Sequence, residues 1–336
     1  MTQQQTAQQS AEKQIAKYQV NTVFAGLEKE MPDRIQSVGY INNADDPFIP
    51  TATESYEFRR ELVRDLVAFL NYPLGDALYI TGPTGSGKTS LVTECAARLS
   101  WPVQQITMGA RTEAADLIGH YVLMSDSPGE EPQMRFQYGP LATAMREGQI
   151  LLLNEVDLAD PGELAALNDV LEGRPLVIAS NGGEIIKPHR MFRVVVTGNS
   201  TGNGDSTGLY QGVMMQNLAA MDRYRFMIVD YPTKEAEVKL LQKILPASAG
   251  VLIPMFVDVA NKIRESFVGQ KDDGNLSVTM STRTLLRWAK LTALYKGAPN
   301  AADHALQQAL LIRAAPEEAI AIQRIAKDVF GQAWGK

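Results

Sequence analysis

Residues 77–89 read Ala-Leu-Tyr-Ile-Thr-Gly-Pro-Thr-Gly-Ser-Gly-Lys-Thr, and no other stretch limits the fold so sharply. Leu78, Tyr79 and Ile80 suit a buried strand. Gly82, Pro83, Thr84, Gly85, Ser86, Gly87, Lys88 and Thr89 then fit G-x-x-x-x-G-K-[ST], a phosphate loop, with Ser90 following. Glycines let the backbone turn its N–H groups toward a polyphosphate, and the next helix aims its positive end at the same anion. Lys88 is expected to reach the β- and γ-phosphates, and the Thr89 hydroxyl to ligate Mg²⁺. Leu91, Val92, Cys95, Ala96 and Leu99 form a helical stripe that ends before Trp101-Pro102, so strand, loop and helix stand in the required order. This pattern predicts a nucleoside triphosphate, ATP or GTP, bound with Mg²⁺.

Apolar runs at 77–81, 103–107, 150–154, 193–198 and 226–229 alternate with helical patterns, which predicts a five-stranded parallel sheet covered on both faces. Phe58, Leu62, Val63, Leu66, Phe69 and Leu70 mark an amphipathic helix that Pro73 closes. Asp160, Pro161 and Glu163 sign the start of another, with an N-cap, a first-turn proline and a capping box; Gly173 ends it. Two β-hairpins are expected. One runs from Tyr121–Met124 to Arg135–Tyr138 around Ser127-Pro-Gly, and the other flanks Asn181-Gly182-Gly183. After Tyr231-Pro232 only helices follow, near 233–245, 250–266, 282–297, 302–314 and 317–332. The expected divisions are a partly disordered N-terminal tail over 1–48, Gln-rich over 1–15, then an α/β domain over 49–232 and a helical domain over 233–336.

Composition removes some classes. A net charge of −6, with no basic, aromatic-interleaved stretch, argues against a nucleic-acid binder. One cysteine, Cys95, rules out an intramolecular disulfide and reads as a buried core thiol. His120, His189 and His304 lack metal-site spacing, so no structural zinc is expected. No stretch is long and apolar enough to span a membrane, and the polar amino terminus lacks a signal-peptide plan; a cytoplasmic protein is expected.

Hydrolysis needs more than a phosphate loop. Ile150-Leu-Leu-Leu-Asn154-Glu155 is an apolar strand ending in two polar groups, and Glu155 is placed to orient and polarise an attacking water. Asn154 stands where a metal-supporting aspartate is usual; its amide can bond a metal-bound water but brings no charge, and Asp157 is an alternative metal partner. The fourth strand ends at Asn199, beside the tip of the 150–154 strand. The Gly-rich loop Thr201–Gly212 misses the dinucleotide fingerprint by one place, at Thr207, so a nicotinamide site is rejected. Arg223 precedes the fifth strand, and Arg283 opens a helical pattern in the second domain.

With the phosphate loop, Asn154-Glu155, Asn199, Arg223 and Arg283 in this order, the chain resembles the AAA+ ATPases, and its extra hairpins resemble the MoxR-like branch. Asp116-Leu-Ile-Gly-His120 and Tyr138–Gly148 are similar to that branch's helix-2 insert. Ala97–Pro102, Gly198–Gly212 with Met221-Asp-Arg223, and Ser281-Thr-Arg-Thr284 resemble the CobS family, the ATPase subunits of aerobic cobaltochelatase. The resemblance covers about residues 48–295 and implies an AAA+ P-loop NTPase: an α/β domain with two hairpin inserts and a C-terminal helical lid. It implies ATP and Mg²⁺ as cofactors and a hexameric ring of identical subunits. Arg223 would complete a neighbour's site, Asn199 would act as a sensor, and Arg283 would reach back to the γ-phosphate. It also implies a partner with a von Willebrand A (CobT-like) domain. Asn154 departs from the family's usual aspartate, and the Pro-Thr-Gly-Ser of the phosphate loop departs from the loop usual in the CobS family.

The functions in play are a ring-shaped remodelling ATPase acting on a protein partner, the cobaltochelatase motor itself, an ATP-gated scaffold that hydrolyses little, and a DNA-handling ATPase. The acidic balance disfavours the last.

Overall fold

The computed structural model describes residues 13–41, 46–125, 131–204, 212–267 and 276–334. In chain order its strands are β1 (Ile15–Gln19), β2 (Gln36–Tyr40), β3 (Ala77–Thr81), β4 (Val103–Thr107), β5 (Gly119–Met124), β6 (Gln133–Tyr138), β7 (Ile150–Asn154), β8 (Leu176–Ile178), β9 (Glu184–Ile186), β10 (Arg193–Gly198) and β11 (Tyr224–Ile228). Five of them form the expected parallel sheet, in the order β11-β3-β10-β7-β4. Every residue of β3, β7 and β10 is buried, as continuous apolar runs in a doubly covered sheet must be.

Alternate side chains of these strands enter two different cores, following the two-residue repeat of a strand. Leu78, Ile80, Leu152 and Val195 meet the helices Arg60–Asn71 and Lys88–Arg98 on one face. Tyr79, Leu151, Leu153 and Val196 meet Leu141, Met145, Leu164 and Leu167 on the other. Full burial of one such Leu or Val contributes about 1.5–3 kcal/mol. Arg193, at the start of β10, donates twice to the Leu70 carbonyl at 2.9 and 2.6 Å, fastening the end of Arg60–Asn71 to the sheet.

Residues 13–41, within the stretch expected as a partly disordered tail, contain a folded unit. β1 and β2 pair antiparallel, and Val20, Phe24, Leu27, Met31 and Tyr40 enter the first core. The Tyr40 N–H donates to the Leu99 carbonyl at 3.0 Å, and Asn71 bonds the free edge of β2 at Val38 and Gln36. Residues 1–12, which hold most of the Gln-rich start, lie outside the described residues.

Both hairpins form. β5 pairs with β6 and β8 with β9, and Tyr121 Oη joins them by donating to Asn181 Oδ1 at 3.1 Å. The expected turn at Ser127-Pro-Gly lies outside the described residues. Beyond Thr233 come the helices Lys234–Ile244, Ile253–Glu265, Thr282–Leu294, Ala301–Ala309 and Pro316–Phe330, packed around Phe256, Trp288 and Phe330.

Two local expectations need correction. The last sheet strand starts at Tyr224, two residues early, because Tyr224 packs edge-on against Tyr79 at 5.6 Å although the sequence there is not an apolar run. The helix after Asp160 is two short pieces, Pro161–Ala165 and Asn168–Leu171. Asp160 caps Gly162 as expected, but Glu163 leaves the capping box and accepts instead from the Ala114 N–H at 2.7 Å. Between the pieces the Leu167 N–H bonds the Leu164 carbonyl, a tightened three-residue repeat that keeps both leucines in the core.

Candidate nucleotide site

At the carboxyl ends of β3, β7 and β10 lies a cleft of about 290 Å³. The phosphate loop, the tips of β7 and β10, and Arg283 line it, bringing together Thr84, Gly85, Gly87, Lys88, Thr89, Ser90, Asn154, Glu155 and Asn199. Open α/β sheets place ligand sites at this end of their strands.

Lys88 Nζ donates to the carbonyls of Gly82 and Pro83 at 2.6 and 3.1 Å and to Asn199 Oδ1 at 2.8 Å. Burial pushes the Lys88 ammonium down to about 8; the Arg283 charge acts the same way, and the carboxylates of Asp157 and Glu155 oppose it. Thr89 Oγ1 donates to Asn154 Oδ1 at 2.7 Å, and Thr197 Oγ1 donates to the same oxygen at 3.2 Å. The Asn154 amide therefore does what a carboxylate would do here, accepting two hydroxyl protons, without a negative charge. Glu155 is exposed and sits in the left-handed region at φ 54°. That conformation costs a side chain on the order of 1 kcal/mol and swings the chain out of β7 into the turn Val156–Leu158. The Glu155 N–H is steadied by Thr197 Oγ1 at 3.3 Å.

Arg283 comes to the cleft from the helix Thr282–Leu294, whose N-cap Ser281 abuts the phosphate loop. A Cβ on Gly85 would lie 2.6 Å from Ser281 Cβ, and φ there is +68°, so only glycine allows this approach. Behind the loop is a second cavity of about 530 Å³, whose lining includes Tyr56, Arg59, Ser86, Pro232, Leu240 and Leu286. Gly85, Gly87, Ser90 and Arg283 border both spaces. Tyr231 Oη donates to the Thr84 carbonyl at 3.1 Å, and Arg264 stacks on the Tyr231 ring at 4.2 Å.

Arg223 is not brought to this cleft. Its backbone bonds Ala77 at the opposite end of β3, and its side chain pairs with Glu172 at 2.6 Å. Asp157 is not free to serve a metal through both oxygens, since Oδ2 accepts from the backbone of Asn199 and Ser200 at 2.7 and 3.1 Å. Thr197, Gln105 and Thr107 also line the cleft and were missed from sequence. A polar residue one place before the end of a buried strand is the only signal for Thr197. Residues 205–211 of the Gly-rich loop lie outside the described residues.

The donor set fits a magnesium nucleotide. The glycines at 82, 85 and 87 take positive φ, opening backbone N–H groups around the lysine, and Thr89, Asn154 and Glu155 supply hard oxygens. Among the described residues no group of three or more His, Cys, Asp or Glu forms an all-protein metal site, and Mg²⁺ at phosphates needs none.

Comparison with known proteins agrees with this geometry. Residues 77–211 match the AAA domain of the dynein-related subfamily, and residues 243–329 match the CbbQ/NirQ/NorQ C-terminal domain. The chain is an AAA protein of the MoxR-like type, built on an α/β P-loop NTPase fold. It is 28% identical to the aerobic cobaltochelatase subunit CobS of Sinorhizobium sp. over 250 residues, 73% of each chain. It is 27% identical over 242 residues to the uncharacterized protein YojN of Bacillus subtilis (strain 168), covering 72% of this chain and 75% of YojN. A match to SH1500 of Staphylococcus haemolyticus (strain JCSC1435) reaches 32% over 160 residues, 48% of this chain and 57% of that protein. Among the described residues no helix is long and apolar enough to cross a membrane.

Proposed function

We propose that the chain is an ATP-hydrolysing motor that works as a ring and remodels or activates a protein partner. The observation that carries this reading is the convergence of Lys88, Thr89, Asn154, Glu155, Asn199 and Arg283 on one cleft from three strand ends and the helical region. The loop amides and Lys88 hold the β- and γ-phosphates, and the larger cavity beside Tyr56 and Leu240 takes the base and ribose. Thr89, and Asn154 indirectly, would hold Mg²⁺, whose charge would offset that of the phosphates. Glu155 takes the proton of the attacking water, while Asn199 and Lys88 hold the γ-phosphate end. Arg283 links the helical lid to that same end.

Arg223 faces away from its own cleft, and this supports a role across a subunit boundary, completing the site of the next copy in a hexameric ring. The partner proposed is a protein with a von Willebrand A domain, in the cytoplasm. Similarity to the cobaltochelatase subunit CobS favours a second reading, in which the motor drives metal insertion into a corrin ring by a separate subunit. The uncharged Asn154 favours a third, a scaffold assembled by ATP with little turnover.

Three measurements test these. Titration of Mg-ATP by calorimetry must give saturable heat. Glu155→Gln must keep that binding and lose phosphate release. Mixed Glu155→Gln and Arg223→Ala subunits must recover part of the turnover that each lacks alone. No binding removes every reading, binding without turnover by the wild type leaves the scaffold, and no rescue removes the role of Arg223 in trans.

A further inference from the structure

Asp157 has no part in the chemistry just described, yet it is fully buried, with 0% of its surface exposed. It lies two residues past Glu155, in the short turn Val156–Leu158. One carboxylate oxygen, Oδ2, accepts from two consecutive backbone N–H groups, those of Asn199 and Ser200, which continue β10 into the loop beyond it. The other, Oδ1, is buried with no hydrogen-bond partner among the described residues. The backbone carbonyl of Asp157 accepts from Met214 N–H at 2.8 Å, where the Gly-rich loop returns. Burying a carboxylate with one oxygen unsatisfied costs stability, and an apolar residue would fill the space more cheaply.

What the carboxylate accomplishes is orientation. At the end of a strand the backbone N–H groups have lost their ladder partners, and an acceptor held rigidly beneath them fixes the direction of the next side chain. That side chain is Asn199, whose Oδ1 accepts from Lys88 Nζ at 2.8 Å. A chain of bonds therefore runs from the turn after Glu155, through the Asn199 backbone, to the lysine of the phosphate loop.

We propose that Asp157 is a positioning residue for Asn199: by fixing the end of β10 it aims the asparagine amide at the γ-phosphate end of the cleft, so that the site tells a triphosphate from a diphosphate. The proposal rests on the nucleotide reading above and adds a residue to it. Asp157 touches no nucleotide; it acts through Asn199.

The test compares dissociation constants for ADP and for a non-hydrolysable ATP analogue, each with Mg²⁺, on the full chain. In Asn199→Ala the preference for the analogue over ADP is expected to fall roughly tenfold, the worth of one hydrogen bond to a charged group. Asp157→Ala is expected to lose the same preference with ADP affinity held within about threefold, and adding Asn199→Ala to it is expected to cause no further loss. Asp157→Asn keeps an acceptor oxygen, so it should fold and retain part of the preference. If Asp157→Ala does not fold, the same cycle is run with Asp157→Asn. Equal weakening of both nucleotides, or losses that add in the double variant, would overturn the proposal in favour of a purely structural carboxylate. Failure of the wild type to bind either nucleotide would defeat the nucleotide reading and this inference together. A wild type that discriminates, beside an Asp157→Ala or Asp157→Asn variant that discriminates equally well, would defeat only the inference.

Discussion

Arg264 and Glu237 meet through two 2.8 Å hydrogen bonds in the interior of the helical region, with side-chain exposures of 5% and 0%. The pair ties together what flanks the cleft. Glu237 also accepts from Thr282 Oγ1 at 2.7 Å, next to Arg283, and Arg264 donates to the Met280 carbonyl at 2.8 Å. Arg264 stacks on Tyr231, which holds the phosphate loop at Thr84.

Removing one partner leaves the other charge buried alone, at a cost of about 3–5 kcal/mol. Arg264→Met and Glu237→Ala are each expected to lower stability by that amount in urea unfolding. Their double-mutant cycle should show strong coupling, with the double variant costing less than the sum. Additive losses would mean that the pair does not act as a unit.

Gly198 ends β10 against Tyr79, and a Cβ there would fall 2.2 Å from Tyr79 Oη. Gly198→Ala is expected to destabilise the chain by about 1–3 kcal/mol through overpacking. Tyr79 Oη is buried beside the Ser200 side chain, so Tyr79→Phe alone should cost no more than about 1 kcal/mol, the worth of one hydrogen bond. In the double variant Tyr79→Phe should restore part of the loss, read as a rise in melting temperature over Gly198→Ala.

The depressed Lys88 ammonium gives a pH signature. Its folded value of about 8 lies below the ordinary 10.5 because burial disfavours the charged form. Between these values the folded chain holds the amine while the unfolded chain holds the ammonium, so unfolding takes up a proton. The stability that this group contributes therefore rises with pH across that window, and its desolvation cost is felt in full below about 8. A polyphosphate favours the ammonium, so nucleotide binding near pH 9 should take up a proton. Calorimetry in buffers of different ionisation heat reads that proton. Lys88→Ala should abolish the uptake and weaken binding roughly 10–100-fold, the loss of a charge-assisted bond.

Asn154→Asp restores a negative charge beside Thr89. The half-saturating Mg²⁺ concentration for nucleotide binding should fall on the order of tenfold, as outer-sphere groups tune metal affinity. Phosphate release should rise with it. An unchanged Mg²⁺ requirement would mean that residue 154 does not face the metal.

Where burial is uniform, the sequence was easy to read. β3, β7 and β10 are buried throughout because helices cover both sheet faces, and two polar residues, Asn154 at the end of β7 and Asn199 just past β10, line the cleft. The N-terminal unit was not legible: Val20, Phe24, Leu27 and Met31 fall at helical spacing, yet only Val20–Val23 is helix and the chain then runs through turns, so their burial depends on a surface made later in the chain. From sequence Asp157 stands only as an alternative metal partner to Asn154, since nothing in a sequence shows that a carboxylate will be taken up by backbone N–H groups 42 and 43 residues away. Glu163 was misassigned for the same reason, its true partner, Ala114, being 49 residues distant. Patterns near in sequence carried the loop and the strands, whereas bonds between distant segments did not announce themselves.

The first strand pair leaves the ribosome well before the wall that receives it. β2 docks through Tyr40 on the Leu99 carbonyl, and a Cβ at Gly39 would meet that same oxygen at 2.3 Å. During synthesis β1 and β2 must therefore wait, apolar side chains uncovered, until the helix Lys88–Arg98 has emerged and folded. A chaperone that holds nascent chains has its natural opportunity in that interval. Trimming the chain to begin at residue 49 would remove the waiting strands, but the core would then lack the residues that seal it.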